Sequence, residues 1–217
     1  MTIKAVLFDF DGVIADTLTY HVQAWKKVFD KYKVKIFPED VYLLEGRLAD
    51  DICRLLAEKK GLSLDDPTIT NLTKQKRAIY NQITKAKVYP ATRNLIKDLE
   101  RASLKKALVT GSIIRNIEPV VGKDFLLNFD VIITGDQVTH NKPHPEPYLM
   151  AAIKLKVEPD ECIVVENAPS GIKSAKQAGM FCIAIRTTIK NENYLKEADL
   201  IVEDTSRIAI EELICKD

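Results

Sequence analysis

Neither sign of charge dominates this chain: 32 lysines and arginines stand against 31 aspartates and glutamates in 217 residues, a formal net charge of +1. Without a basic face or an acidic tail, a nucleic-acid surface is not indicated, and a small molecule is the expected partner. Cysteine is scarce. Cys53, Cys162, Cys182 and Cys215 are far apart with no C-x-x-C pair, and Cys162 and Cys182 sit in apolar runs where a thiol packs as a small hydrophobe. They read as buried thiols in a reducing compartment. No segment reaches the length of a membrane span, and the start "MTIKAVLFDFDG" places acidic residues where a secretory leader needs continuous apolar sequence. Repeats and low-complexity tracts are absent as well. A cytoplasmic protein acting as a monomer is the expectation.

What is present is alternation. Short apolar runs recur at Ile3 to Phe10, Lys106 to Thr110, Phe129 to Asp136, Glu161 to Asn167, Phe181 to Arg186 and Asp199 to Asp204. Helix-period segments lie between them: Leu95, Ile96, Leu99 and Ala102 share one face, as do Tyr148, Leu149, Ala152 and Ile153. Strands alternating with helices predict a parallel sheet covered on both faces, a Rossmann-like doubly wound α/β fold. Residues 15–87 break the rhythm with three helical patterns and no strand. Leu18, Val22, Trp25, Phe29 and Tyr32 form one stripe, Ile52, Leu55 and Leu56 a second, and Ile69, Leu72, Ile79 and Ile83 a third. They predict a small α-helical domain inserted into a core made of residues 1–14 and 88–217, with Tyr89 and Pro90 as the re-entry hinge.

In an open parallel sheet, ligands bind beyond the carboxyl ends of the strands. Those ends hold Asp9 and Asp11 after the first strand, then Thr110, Gly111 and Ser112, then Lys142, then Glu166 and Asn167. Carboxylate and amide oxygens suit a hard cation such as Mg²⁺, while hydroxyls, backbone N–H groups and a lysine suit phosphate oxygens. Asp9 could be a nucleophile toward phosphorus and Asp11 the acid and base two residues on, with Gly12 permitting the tight turn.

The run D-x-D-G-V-x-x-D-T at Asp9 to Thr17, with Thr110, Lys142 in "NKPHPEPY" and "VVENAPSGI" around Glu166, resembles the four motifs of the haloacid dehalogenase superfamily. More narrowly, the chain resembles the beta-phosphoglucomutase and phosphoglycolate phosphatase branch, whose small helical cap is inserted directly after the first motif. This resemblance implies Asp9 as nucleophile, Asp11 as general acid and base, Thr110 as a phosphate hydroxyl and Lys142 as the phosphate-pairing cation. It also implies Mg²⁺ held by Asp9, the Asp11 backbone carbonyl, Glu166 and Asn167. In the cap it points to His21 and Lys76 as substrate-side residues.

Two positions depart from the pattern. Glu166-Asn167 stands where Glu-Asp or Asp-Asp is common, which predicts weaker metal binding. Ala49 stands where the mutases carry an arginine that holds the non-transferring phosphate; Arg47, directly after Gly46, is the candidate substitute. The loss of that arginine favours a phosphatase of a small phosphorylated metabolite, a sugar phosphate or a phosphoglycolate-like compound, over a sugar phosphomutase. A phospho-accepting receiver and a non-catalytic phosphate binder are the more distant alternatives. Lys76 could equally lay its stem along its apolar stripe and expose its amine, His21 could serve a structural hydrogen bond, and His140 and His144, flanking Lys142, read as loop polarity.

Overall fold

The computed structural model describes residues 2–210; Cys215 lies outside the described residues. The chain opens with β1 (Ala5–Phe8), then runs through α1 (Leu18–Phe29), α2 (Pro38–Tyr42), α3 (Ala49–Lys59) and α4 (Asp66–Ile83). Alternation then resumes as α5 (Pro90–Arg101), β2 (Lys105–Val109), α6 (Ile114–Val121), α7 (Lys123–Leu126) and β3 (Val131–Ile133). It continues as α8 (Glu146–Leu155), β4 (Cys162–Glu166), α9 (Pro169–Gln177), β5 (Phe181–Ile185) and β6 (Leu200–Val202).

The six strands form one parallel sheet in the order β3-β2-β1-β4-β5-β6, the doubly wound α/β arrangement expected. Alternation along β1 sends Val6 and Phe8 to one face, against Leu95, Ile96 and Leu99 of α5. Ala5 and Leu7 go to the other, against Tyr148 and Ala152 of α8 and Ile172 and Ala175 of α9. Burial on both faces is why these strands read as continuous apolar runs. The winding direction reverses between β1 and β4, and the crevice at their carboxyl ends is the natural ligand site.

Two strands are shorter than their apolar runs. β1 ends at Phe8 because the next residues turn: the Phe10 carbonyl accepts from Ile14 N–H at 2.9 Å, and Gly12 has φ +85°. β3 stops at Ile133, where Thr134 Oγ1 donates to Asp136 at 2.6 Å and Gln137 N–H closes a turn on the Thr134 carbonyl. On α8 the buried stripe is Tyr148, Ala151, Ala152 and Leu155, so it is rotated from the expected one: Leu149 is half-buried and Ile153 is 74% exposed.

Between Asp16 and Val88 a separate apolar cluster joins Trp25 and Phe29 of α1, Ile52 and Leu56 of α3, and Ile69 and Leu72 of α4. The three expected helices are accompanied by a fourth, α2, whose 5 residues are too few to display a period. The connections into and out of this segment run side by side, Asp16 N–H donating to the Lys87 carbonyl at 3.1 Å and Tyr89 N–H to Ile14 at 2.9 Å. Tyr89 precedes α5 with Pro90 at its first position, where the missing N–H costs nothing.

Asp40 of α2 ties this segment together. It accepts from Phe37 N–H at 2.9 Å and pairs with Lys59 and Lys60 at 2.6 Å each. Burial raises its carboxyl, but the two lysines and that N–H overcome burial and bring it down to about 2. A carboxyl lowered in the folded state stabilises above its unfolded pKa, and that contribution fades as pH falls through the folded value. Wild-type protein should therefore lose up to about 2 kcal/mol between about pH 4 and pH 2 through this group. Asp40→Asn should lack that component, measured as the difference between the two proteins' urea midpoints across the window.

Among the described residues no helix is long and apolar enough to cross a membrane. Cys53, Cys162 and Cys182 are buried free thiols, and burial pushes Cys53 up to about 11 and Cys162 to about 12.

Candidate active site

Lys142, in the loop between β3 and α8, is 2% exposed. Its ammonium donates to Asp9 Oδ1 at 2.7 Å, Glu166 Oε1 at 2.7 Å and the Val109 carbonyl at 3.0 Å. A cation buried this deeply persists only when fully paired, and here three strand ends supply the partners. Glu166 also accepts from the Tyr148 hydroxyl at 2.8 Å on Oε1, and from the N–H groups of Asn167 at 3.0 Å and Ala168 at 3.3 Å on Oε2. Its acceptor directions are thus filled by protein donors. Gly171 of α9 lies so close to this carboxylate that no Cβ would fit. Asn167 differs: its amide nitrogen donates to Thr188 Oγ1 at 3.0 Å, while its Oδ1 is buried with no partner.

Burial pushes the Asp9 carboxyl up to about 7, with the charges of Glu166 and Asp11 adding to the effect and Lys142 opposing it. Asp11 behaves in the opposite way. Burial acts to raise it, but His21, Thr17 and Lys76 together hold it below the usual carboxylate range. Thr17 Oγ1 donates to Asp11 Oδ1 at 2.5 Å, and His21 Nε2 lies 3.0 Å from the same oxygen. On the far side of the ring, Lys76 Nζ is 2.5 Å from Nδ1. Burial, then the Lys76 charge, lower the His21 pKa, so the ring is neutral near pH 7, accepting from Lys76 on Nδ1 and donating to Asp11 from Nε2. His21 stacks on Tyr80 at 4.2 Å, and the Lys76 ammonium lies over Trp25 at 5.2 Å. Lys76 therefore does not expose its amine: it is 8% exposed, and α4 hands it to α1.

Thr110 ends β2. Its Oγ1 accepts from Ser112 N–H at 3.0 Å, which leaves its own proton for another acceptor. Gly111 packs against the backbone of Gly46 and Arg47, leaving no space for a Cβ, and Ser170 Oγ donates to the Glu45 carbonyl. The loop of residues 45–47 thus rests directly on the sheet edge. Between them lies a cavity of about 270 Å³. Asp11, His21, Arg47, Lys76, Gly111 and Ser112 line it; Asp9, Thr110, Lys142, Glu166 and Asn167 do not. Ala49 lines it without charge, while Arg47 presents a buried Nε that has no partner. Burial and the nearby Asp11 charge push the Glu45 carboxyl, on the same wall, up to about 8. His140 pairs with Glu146 at 3.0 Å and its ring lies 4.6 Å from that of His144.

Three neighbours of this site, Tyr148, Glu45 and Ser170, escaped sequence reasoning. Tyr148 read as a core position on its helix, and only its hydroxyl's reach to Glu166 reveals more. Thr17 was legible as the end of the first motif. Glu45 and Ser170 carry no spacing signal, since one loop meets the other across 125 residues.

The family model described as haloacid dehalogenase-like hydrolase matches residues 6–185. The beta-phosphoglucomutase of Bacillus subtilis is 28% identical over 218 residues, covering 96% of this chain and 92% of that protein. The validoxylamine A 7'-phosphate phosphatase of Streptomyces hygroscopicus is 30% identical, covering 94% of this chain and 95% of that protein. Among solved structures, the beta-phosphoglucomutase of Clostridium difficile matches with a TM-score of 0.82 at 29% identity, covering 97% of this chain and 95% of that one. A match along 180 consecutive positions of a parallel sheet, carrying its acids at the strand ends, makes this chain a member of the haloacid dehalogenase-like hydrolase family.

Proposed function

We propose that the protein is a Mg²⁺-dependent phosphatase of a small phosphorylated metabolite, a sugar phosphate or phosphoglycolate-like compound, that works through a phosphoryl group carried on Asp9. One observation carries the reading: Asp9 is held by Lys142 at the sheet edge, while Asp11, two residues on, is wired to His21 at the cavity wall.

In the proposed reaction an Asp9 carboxylate oxygen attacks phosphorus and the ester P–O bond breaks, its electron pair leaving on the alcohol oxygen. Asp11 supplies the proton to that oxygen. A phosphate dianion entering beside Asp11 adds negative charge, which raises its carboxyl toward the protonated form the step requires. Asp11, now ionised, takes a proton from water, the water attacks the aspartyl-phosphate, and inorganic phosphate leaves as Asp9 is regenerated. Thr110, the N–H of Gly111, the Ser112 hydroxyl, whose oxygen accepts from Asn116 and so keeps its proton, and Lys142 bind the phosphoryl oxygens. The segment of residues 15–87 acts as a cap over the core of residues 1–14 and 88–217, excluding water while Arg47, Lys76 and His21 meet the rest of the substrate. The setting we propose is a monomer in the cytoplasm.

The residues suit Mg²⁺. Asn167 Oδ1 is an unclaimed buried acceptor, and a divalent charge would relieve the burial that lifts Asp9. Asp9, the Asp11 backbone carbonyl and Asn167 would hold the ion, and Glu166, committed to Lys142 and Tyr148, would stand behind them as a positioning residue. Bound there, Mg²⁺ would neutralise charge on the transferring phosphoryl group. Because the Asn167 amide brings no charge, Asn167→Asp should lower the half-saturating Mg²⁺ concentration about tenfold; an unchanged Mg²⁺ titration removes Asn167 from the metal side.

The likeness to beta-phosphoglucomutases favours a second reading, a sugar phosphomutase returning the phosphoryl group to another hydroxyl. Ala49, at the place of the mutase arginine, weighs against it. Phosphate release from sugar phosphates, phosphoglycolate, glycerol phosphates and nucleotides tests the phosphatase; isomer formation on addition of a sugar bisphosphate, without net phosphate release, would favour the mutase. Membership of a hydrolase family leaves the receiver reading without support.

A further inference from the structure

The loop that carries Lys142 also gathers the histidines that the active site does not use. Of 3 in the sequence, His21 is buried against Asp11 and Lys76. The other two, His140 and His144, are exposed and flank Lys142 on either side. Their rings lie 4.6 Å apart, and Glu146, the first residue of α8, completes a group whose nitrogen and carboxylate ligand atoms all fall within 4.8 Å of one another.

The backbone of the loop holds this group together. Glu146 Oε1 accepts from Thr139 N–H at 2.8 Å and Oε2 from His140 N–H at 2.9 Å, which fixes the carboxylate beside the His140 ring, whose Nδ1 lies 3.0 Å from Oε2. His144 N–H closes a turn on the Asn141 carbonyl at 3.0 Å. Its Nδ1 accepts from Glu146 N–H at 3.2 Å, so a lone pair and not a proton faces that residue. An ion pair between His140 and Glu146 accounts for two of these side chains. It leaves the second imidazole, exposed beside the first, without a task.

We propose that His140, His144 and Glu146 form a binding site for a transition-metal dication of the Zn²⁺ class, separate from the Mg²⁺ position. Two imidazoles and a carboxylate are a donor set that suits Zn²⁺, whereas Mg²⁺ takes oxygen. Spacing agrees. Ligand atoms about 2.1 Å from one tetrahedral ion stand about 3.4 Å apart; His140 and Glu146 are already near that separation, and exposed side chains can rotate through the remainder. On binding, the proton that His140 Nδ1 shares with Glu146 is released to solvent and the ion takes its place. Three protein ligands leave a position for water, so the ion exchanges. By joining residues on both sides of Lys142 it fastens the loop that delivers this lysine to Asp9 and Glu166, and it stabilises the folded chain.

The test is a Zn²⁺ titration by calorimetry of tag-free protein near pH 7.5, with excess Mg²⁺ present to occupy oxygen-only sites, together with thermal melting. His140→Ala and His144→Ala should each weaken Zn²⁺ binding about a hundredfold, and Glu146→Gln about tenfold. At a hundredfold excess over Kd, Zn²⁺ should raise the wild-type melting temperature by about 5–10 °C and leave that of the double histidine variant unmoved. Without Zn²⁺, the histidine variants should melt within about 2 °C of wild type, as exposed substitutions do; a larger loss would show that the imidazoles serve the loop themselves and would overturn the assignment. No Zn²⁺ uptake beside Mg²⁺, wild-type affinity in any of the three single variants, or an equal rise in melting temperature in wild type and the double variant would overturn it as well.

Discussion

Asp9→Asn is expected to lower kcat on every phosphomonoester by about 10⁴-fold, a barrier increase of about 5.5 kcal/mol, without unfolding the protein. The amide has no anionic oxygen to offer phosphorus, so the first step has no nucleophile. Stability should move differently. Burial raises Asp9 to about 7 in the folded state, so between its unfolded pKa and that value the folded protein binds more protons than the unfolded chain. Ionising Asp9 therefore removes stability as pH rises from about 4 to about 7. The asparagine variant lacks this cost and keeps Lys142 and Glu166 as a one-to-one pair. Its denaturation midpoint near pH 7 should equal or exceed that of wild type. Undiminished turnover would sink the nucleophile assignment, and a collapse of stability would mean that the activity loss reports unfolding.

Lys142→Met carries the second large effect, in which activity and stability fall together. The ammonium compensates two buried carboxylates, and its removal strands Asp9 and Glu166 beside each other at the end of β1 and β4. Breaking a buried pair by deleting one partner costs roughly 3–5 kcal/mol, and at roughly 2–4 °C per kcal/mol for a chain of this size the melting temperature should drop by about 10 °C. One carboxyl should take up a proton to limit the damage, so the deficit should be smaller in mild acid than near pH 8. Adding Glu166→Gln to Lys142→Met should restore part of the stability and none of the activity, since phosphoryl binding still lacks its cation. A melting temperature within about 2 °C of wild type for Lys142→Met alone would show that the lysine is not the compensating charge.

The residues involved differ in how far the chain itself announces them. Asp9, Thr110, Lys142 and Glu166 were legible because each follows an apolar run, and a parallel sheet places such ends along one edge. The inserted helices were legible from the apolar stripes that contain Trp25, Leu56 and Leu72, each spaced at the helix period. The short α2 was not, since 5 residues hold no period. Lys76 could not be decided from its stripe, where a snorkelling amine and a buried one have the same spacing. Tyr148 was concealed for a similar reason, an aromatic ring on a buried stripe giving no sign of its hydroxyl's partner.

Sequence alone determined the class of chemistry, because residue type and strand-end position are local properties. Two acids two positions apart, a hydroxyl, a lysine and an acid-amide pair leave few reactions open, and the parallel-sheet rule assembles them. Tertiary structure alone decided the partnerships. Lys142 meets Asp9 across 133 residues and Lys76 meets His21 across 55, distances over which no periodicity persists. It also decided protonation: Asp9 and Asp11 are the same amino acid two positions apart, yet burial raises one while His21, Thr17 and Lys76 lower the other. The unmet buried atoms of Asn167 and Arg47 belong to this second kind of knowledge, because a missing partner is defined only when every neighbour within reach is in place.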